Sequence, residues 1–266
     1  MPKTYGPGGG FDDNPKRYFG SISRGYDQKP LETSTVQNAP LGSLLEYQDG
    51  TQFRYALAAA AIDTANLCAS DVLTAANAGP GLVTVDNSLT AAAIGATSVI
   101  LTNAAVASAA KDAFAGAKLM IEDDTGEGHA YPIVSSTAGS PTTLSLHPDF
   151  PLAVALDTTS DVQIVQHSCF EVITATAFAG TDVNIVGVTP VAVADNEYFW
   201  MQTKGIASVQ VDVSTAQNAQ GNMVLSDGTA GNAQLMTEST IETIIGRLFG
   251  VSVGGAHAAI WLNLGW

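Results

Sequence analysis

One stretch of this chain matches a catalytic pattern literally: residues 250–254 read Gly-Val-Ser-Val-Gly, and His257 comes soon after. In a GxSxG nucleophile elbow, the serine sits on a sharp strand-to-helix turn, and the acid and His of the triad come later in the chain. Here Ser252 lies between two β-prone runs, 244–249 and 257–264, and little chain remains after it. We therefore predict no catalytic residue and no enzyme, with a hydrolase acting on cell-wall or surface glycans as the enzymatic alternative.

A second stretch resembles a metal-binding loop. Residues 123–129 read Asp-Asp-Thr-Gly-Glu-Gly-His, a dense set of oxygen ligands of the kind that calcium prefers. The stretch does not meet the EF-hand pattern, which requires acids or amides at alternating positions, a Gly at the sixth position and a Glu at the twelfth, so we interpret it as a hairpin turn with solvated charges. No two His residues have the HxxxH spacing of a helical zinc site; they are His129, His147, His167 and His257. The sequence predicts no metal site and no cofactor.

Charge is distributed unevenly along the 266 residues. The first 54 residues hold six Lys or Arg and six Asp or Glu, whereas the rest holds four cations and nineteen acids and carries the whole net charge of −15. Nucleic-acid binding needs many Lys and Arg contacts to phosphates, and anionic membranes attract basic segments. We therefore predict no direct nucleic-acid partner and no membrane partner.

Cysteine usage and hydropathy give further expectations. Cys68 and Cys169 stand far apart without a CxxC or Cys/His cluster, which favours buried free thiols over a disulfide. The N-terminal residues lack the apolar core of a secretory signal. The longest apolar run, 55–62, is far below the roughly 20 residues that cross a bilayer. We expect a soluble protein that is synthesised in the cytoplasm.

The elements that position these residues are predicted to be short strands, with an irregular segment before them. Residues 1–41 carry no periodicity and include Gly-Pro-Gly-Gly-Gly at 6–10, which holds no regular element. A flexible tail is one interpretation; the other is an extended arm that becomes ordered against a partner, because aromatic and Arg side chains are typical interface anchors. The predicted partner-binding residues are Tyr5, Phe11, Arg17, Tyr18, Phe19, Arg24 and Tyr26.

Residues 42–266 indicate a mainly β fold made of small barrel or sandwich modules. Residues 44–47 and 51–56 flank an Asp-Gly turn and predict a hairpin, whereas 56–67 fits either a short helix or an extended segment. Further strands are predicted at 97–102, 118–122, 130–135, 142–146, 161–166, 170–175, 198–203, 207–213, 223–226, 234–236, 244–249 and 257–264. We see no strict sequence repeat.

The strand and turn pattern also predicts the domain organisation. We predict an arm at 1–41, a barrel core formed by 42–85 and 167–266, and a β domain at 86–166 inserted into that core. The run at 198–203 is the most hydrophobic predicted strand, and the C-terminus is aromatic where most termini are polar. The predicted self-association residues are Tyr198, Trp200, Trp261 and Trp266.

Several stretches together resemble capsid decoration, or cement, proteins of tailed bacteriophages. The resemblance covers roughly residues 45–266 and rests on the amino-acid sequences of several segments. These read Glu-Tyr-Gln-Asp-Gly-Thr-Gln-Phe-Arg-Tyr-Ala at 46–56, Leu-Cys-Ala at 67–69, Ala-Ile-Gly-Ala-Thr-Ser-Val at 93–99, Asp-Thr-Gly-Glu-Gly-His-Ala-Tyr-Pro-Ile at 124–133, Tyr-Phe-Trp-Met-Gln-Thr-Lys-Gly at 198–205, Ile-Gly-Arg at 245–247 and Ile-Trp-Leu-Asn-Leu at 260–264.

The resemblance implies a virion structural protein on the outer surface of the head, made in the host cytoplasm. It implies binding to the major capsid protein, self-association as a homotrimer, and cementing of neighbouring capsid subunits, with no catalytic residue carried over. A tail, fibre or host-surface-binding component of the virion is the alternative, although fibres usually show repeats or heptads that this sequence lacks.

Overall fold

The chain divides into two compact units. The computed structural model describes residues 27–70, 82–85, 89–102, 111–175, 185–211, 223–226, 230–235, 244–250 and 257–264. The first unit comprises Met1–Asp71 and Ser168–Trp266, and the second is the continuous stretch Val72–His167. All elements assigned in the described residues are β-strands. Within those residues, no helix is long and apolar enough to cross a membrane.

The first unit contains a ten-stranded antiparallel sheet. Numbered in chain order, its strands are β1 (Leu44–Glu46), β2 (Gln52–Leu57), β3 (Leu67–Ser70), β11 (Val172–Thr174), β12 (Ile185–Val188), β13 (Tyr198–Gln210), β14 (Met223–Ser226), β15 (Ala233–Leu235), β16 (Ile244–Gly250) and β17 (His257–Asn263). The strand order is β11-β3-β12-β13-β17-β16-β14-β15, with β2 also paired to β13 and β1 paired to β2.

The second unit contains a seven-stranded antiparallel sheet. Its strands are β4 (Leu82–Val85), β5 (Leu89–Thr90), β6 (Ser98–Leu101), β7 (Lys118–Asp123), β8 (Ala130–Ser136), β9 (Thr142–Leu146) and β10 (Asp161–Val165). The order is β4-β10-β7-β8-β9-β6-β5. Alternate residues of β6 to β10 point into one hydrophobic core, which includes Leu119, Ile133, Leu144 and Ile164. This period-two burial is what the alternating sequence predicts for a sheet with one solvated face.

Strand β13 lies in the first unit, and its two halves have different surroundings. In the first half, Phe199 and Met201 pack into one buried cluster, while Trp200 packs into another on the opposite face. Both faces are therefore covered, which explains why this run is hydrophobic without alternation. From Lys204 onward, exposed and buried residues alternate, so one face of the second half is open. The change occurs at Gly205, which has a φ of 90°.

A pair of interlocked turns occurs in both units. In the first unit, Ile62 and Val193 form an isolated antiparallel bridge with both N–H···O distances at 2.9 Å. In the second unit, Ala92 and Leu156 form the equivalent bridge at 2.9 and 2.8 Å. Each of these four residues precedes a tight turn that leads directly into a strand.

The hydrogen bonds around the two bridges follow the same pattern in both units. Three residues after the first bridge residue, Ala65 N–H donates to Thr189 O at 2.8 Å, and Gly95 N–H donates to Leu152 O at 2.8 Å. Both donors have positive φ values, 65° for Ala65 and 82° for Gly95. The acceptors lie four positions before the second bridge residue in both units. The two units therefore share one backbone arrangement, although the sequence shows no strict repeat.

The prediction of a mainly β fold with barrel- or sandwich-like modules is confirmed. Most predicted strands are present, and the two predicted at 198–203 and 207–213 form the single strand β13. The 56–67 segment is extended, with isolated bridges at Ala58 and Ile62. Residues 79–81 read Gly-Pro-Gly, and the sequence therefore predicts a break in regular structure over 79–85; this is wrong at Leu82–Val85, which forms β4 and pairs with β10. The domain predicted at 86–166 falls inside the second unit, which begins at Val72.

Candidate interaction surfaces

Gln28 holds the start of the described chain to the first unit. Its side chain is 6% exposed and uses both polar atoms. The amide nitrogen donates to Glu32 O at 2.8 Å and to Tyr198 O at 2.9 Å. The amide oxygen accepts from Tyr55 Oη at 2.7 Å and from Asn38 Nδ2 at 3.1 Å. Four hydrogen bonds from one buried amide fix this segment in position, because each unmade bond would leave a buried polar atom unpaired.

Three aromatic residues surround that amide. Trp200 is 0% exposed, and its indole nitrogen donates to the backbone oxygen of Gln28 at 2.8 Å. Tyr55 packs edge-on against Trp200 with a centroid distance of 4.9 Å and stacks on Tyr198 at 5.9 Å. Burial raises the pKa of Tyr55 above its ordinary value, so the phenol remains a hydrogen-bond donor at neutral pH. We refer to Gln28, Tyr55, Tyr198 and Trp200 as the anchor cluster.

The segment after Gln28 is attached by backbone as well. Ser34 N–H donates to Tyr198 O at 3.0 Å, and Tyr198 N–H donates to Ser34 O at 2.7 Å. Asn38 N–H donates to Tyr55 Oη at 3.0 Å, and Ala39 is part of the same buried cluster as Trp200. Residues 27–41, which we predicted to belong to the extended arm, are therefore packed against the first unit. The remainder of the predicted arm, residues 1–26, lies outside the described residues.

The predicted site residues divide into three groups. All seven predicted partner-binding residues lie outside the described residues, as does Trp266; the seven are Tyr5, Phe11, Arg17, Tyr18, Phe19, Arg24 and Tyr26. Tyr198 and Trp200 belong to the anchor cluster, and a fully buried Trp200 has no side-chain surface to offer a second subunit. The assignment of Trp200 to self-association is corrected on that ground. Trp261 is exposed on β17.

Gln28 is the member of the anchor cluster that no sequence pattern indicated. The aromatic partners gave a general signal, because buried Trp N–H and Tyr O–H groups need polar partners. Nothing in the sequence indicated which residue supplied them, since Gln28 and Trp200 are 172 positions apart.

The GxSxG stretch connects β16 to β17, which are antiparallel neighbours. Gly250 ends β16 and an exposed His257 begins β17, while Ser252 lies outside the described residues. The element on the C-terminal side of the motif is a strand, whereas a nucleophile elbow leads into a helix.

The acid-rich turn after β7 has the geometry of a hairpin turn. Gly126 has a φ of 97°, and His129 Nδ1 lies 2.8 Å from the Gly126 oxygen. Thr125 Oγ1 donates to Asp157 Oδ2 at 3.2 Å, and hydrogen bonds, chiefly from Thr159, lower the pKa of Asp157. Within the described residues, no group of three or more His, Cys, Asp or Glu side chains is arranged to hold a metal ion.

A cavity of about 510 Å³ opens beside β8 in the second unit. Its lining includes Lys111, Asp112 and the hydroxyl residues Ser135, Ser136 and Thr137. Asp112 Oδ1 accepts a hydrogen bond from Ser136 N–H at 3.2 Å, so this carboxylate holds the turn against the strand. The cavity offers hydroxyls and one exposed ion pair, which can bind a polar group weakly but do not form a nucleophile–base pair.

Cys68 and Cys169 are both buried thiols that form no disulfide, as predicted. Burial raises the pKa of the Cys68 thiol far above its usual range. Burial likewise raises the pKa of Cys169 to about 12, against an opposing effect of Arg54. Because the thiolate is the reactive form, neither side chain is a nucleophile near neutral pH.

Comparison with protein-family models, curated proteins and solved structures finds no match for this chain.

Proposed function

We propose that this chain is a virion structural protein of a tailed bacteriophage. It binds the outer surface of the head and cements neighbouring major capsid subunits. The resemblance of residues 45–266 to decoration proteins supports this function. The anchor cluster is the observation that carries the mechanism, because cementing requires a segment that grips the shell to be tied firmly to a rigid body.

The anchor cluster provides such a tie. Residues 1–26 contain five aromatic side chains, and the chain beyond them is fixed at Gln28 by buried hydrogen bonds to Tyr55 and Tyr198. Tyr198 is the first residue of β13, the strand that crosses the centre of the sheet. A pull on the arm is therefore transmitted to a strand with pairing partners on both edges rather than to a loop.

The negative charge of the second unit supports a position in which it faces away from the shell. The second unit contains nine acids and two lysines, a formal charge of −7. Such a surface repels copies of itself and keeps the particle soluble. Each arm contact with the shell need only be weak, because a copy that bridges several subunits makes its second contact at a high effective concentration.

The test is binding of three versions of the chain to source-phage heads that lack it. These are the intact chain, a truncation that removes residues 1–26 but keeps Gln28, and a variant with the five arm aromatics changed to Ala. We expect the truncation and the Ala variant to fold normally and to lose co-sedimentation with heads. Full-strength binding by the truncated chain would overturn the proposed role of the arm.

The dependence of head binding on ionic strength gives a second test. Residues 1–26 hold four cations and two acids, a net charge of only +2, beside five aromatic side chains. We therefore expect head binding to change little with ionic strength, because aromatic contacts are not screened. A steep salt dependence would show that the contact is electrostatic.

A further inference from the structure

The second half of β13 and strands β16 and β17 present an exposed apolar surface. Ile206 is 47% exposed, Trp261 47% and Phe249 53%. In the sheet register, Ile206 lies opposite Trp261, and Trp261 lies opposite Arg247. The rings of Phe249 and Trp261 have a centroid distance of 6.3 Å. We call this surface, formed by Lys204, Ile206, Arg247, Phe249 and Trp261, the basic aromatic face.

The charge of this face is opposite to that of the rest of the chain. Strands β13, β16 and β17 contain no Asp or Glu, although nineteen acids come after residue 54. Only four cations come after that residue, and two of them, Lys204 and Arg247, are exposed here. The face therefore carries two positive charges in a chain of net charge −15.

This composition is typical of the centre of a protein interface. Trp and Arg are the side chains most often found as binding hot spots, and acids are depleted from interface cores. A two-fold contact would place the face against its own copy. That arrangement would bring only cations together, which is unfavourable. The complementary surface must therefore be a different one, and it must be acidic.

The chain itself offers such a surface in its second unit. The turn at the end of β7 holds four exposed acids within six residues: Glu122, Asp123, Asp124 and Glu127. It is the densest run of acids in the sequence. We infer that the basic aromatic face of one copy binds the acidic turn of a second copy.

The contact is heterologous, with different surfaces on the two copies. A heterologous contact forms a ring when its rotation closes and an open chain when it does not. It is thus a direct way to reach a closed oligomer such as a trimer. The inference concerns the purified chain and does not depend on the proposed capsid function.

The experiment measures self-association of the purified chain by analytical ultracentrifugation. One variant, Lys204→Gln with Arg247→Gln, neutralises the face. A second, Asp123→Asn, Asp124→Asn and Glu127→Gln, neutralises the turn with isosteric amides. The matched control is Lys111→Gln with Lys118→Gln, which removes the same charge from the second unit. Thermal melting of each variant establishes that it is folded.

We expect the face variant and the turn variant each to weaken self-association at least about tenfold, as loss of hot-spot charge contacts does. The control should stay within about twofold of the unchanged chain, and higher salt should weaken association. The decisive experiment mixes the face variant with the turn variant. The face variant retains its turn and the turn variant retains its face, so an equimolar mixture should form one-to-one dimers and nothing larger.

Three results would overturn the inference. The first is a chain that stays monomeric at all concentrations, and the second is undiminished association of the face variant. The third is a mixture that fails to form dimers when both variants are folded. In the second case, a simultaneous loss of head binding by the face variant would assign the face to the shell.

Discussion

Gln28 shows how a single side chain ties an irregular segment to a sheet. Its amide connects Glu32, Asn38, Tyr55 and Tyr198, and its backbone oxygen accepts from Trp200. The aromatic residues lie in runs that the sequence predicts as strands, although Tyr198 and Trp200 were assigned to self-association. The position of the amide could not be predicted, because its partners come from distant parts of the chain and no local pattern marks a Gln as buried.

Replacing Gln28 by Ala should lower the free energy of unfolding by about 1–3 kcal/mol, because the Tyr55 hydroxyl and the Tyr198 carbonyl lose a buried partner. Urea denaturation measures this change. The matched control is Gln37→Ala, since Gln37 is exposed and bonds only locally to Ala39 O; its effect should stay within about 0.5 kcal/mol. Equal effects of the two substitutions would argue against the anchor cluster.

Because both thiols are buried, the free energy of unfolding should decrease as the pH becomes alkaline. A thiol whose pKa is raised on folding stabilises the folded state fully below its unfolded pKa, and this contribution is lost as the pH rises through the folded pKa. For Cys169 that window runs from an ordinary pKa of 9.0 up to about 12. We expect the unfolding free energy to fall as the pH rises above about 9, and Cys169→Ala to reduce the slope.

Thiol alkylation supplies an independent measurement. Iodoacetamide should leave both thiols unmodified in the native protein at a mildly alkaline pH of about 8, below the raised thiol pKa values, and modify both after denaturation. Rapid modification of the native chain, detected by mass spectrometry, would contradict the burial of Cys68 and Cys169.

At the scale of elements, the strands that sequence reasoning missed are short or interrupted by Gly. Strand β12 contains Gly187, and an added Cβ there would clash with Met201 Cγ, so the residue that weakens the strand signal is required by close packing. Residues 204–206 were left between two predicted strands, but β13 continues through them. A register shift against β2 between Gln202 and Lys204 marks a bulge at the point where β13 passes from a buried environment to a half-exposed one.

Two glycines in the acid-rich turn allow a matched comparison. Gly126 and Gly128 both have positive φ, but an added Cβ at Gly126 would lie 2.8 Å from Leu156 Cδ2, whereas Gly128 has open space. Gly128→Ala should cost about 1–2 kcal/mol through backbone strain alone. Gly126→Ala should cost about 1–3 kcal/mol more, because overpacking is added. Equal melting temperatures of the two variants would contradict this packing.

At the scale of the whole molecule, the sequence predicts a β domain inserted at 86–166, because the first hairpin and the C-terminal strands resemble parts of one barrel, and Val72–His167 forms the second compact unit. The shared pair of interlocked turns could not be predicted from the sequence. It depends on backbone geometry, and the equivalent positions Ala65 and Gly95 are different residue types that adopt the same positive φ. Of the basic aromatic face, only Trp261 was singled out from the sequence, because the face arises only when β13, β16 and β17 are brought side by side.

The continuous second unit should fold without the first. Residues 72–167 contain a complete hydrophobic cluster and a seven-stranded sheet. Expressed alone, we expect this segment to unfold cooperatively in urea with a β-type circular dichroism spectrum. The control is Leu144→Ala in the same segment, which should destabilise it by about 2–5 kcal/mol by leaving a core cavity. Non-cooperative unfolding of the unmodified segment would show that it needs the first unit.

The proposed role as a cement on the outside of a phage head is open to direct observation. The measurement is cryo-electron microscopy of the source virion, with quantitative mass spectrometry of its proteins. We expect many copies spread over the head lattice at three-fold-like positions, with residues 1–26 lying on major capsid subunits. A few copies confined to the tail, or absence from the particle, would contradict the proposed role.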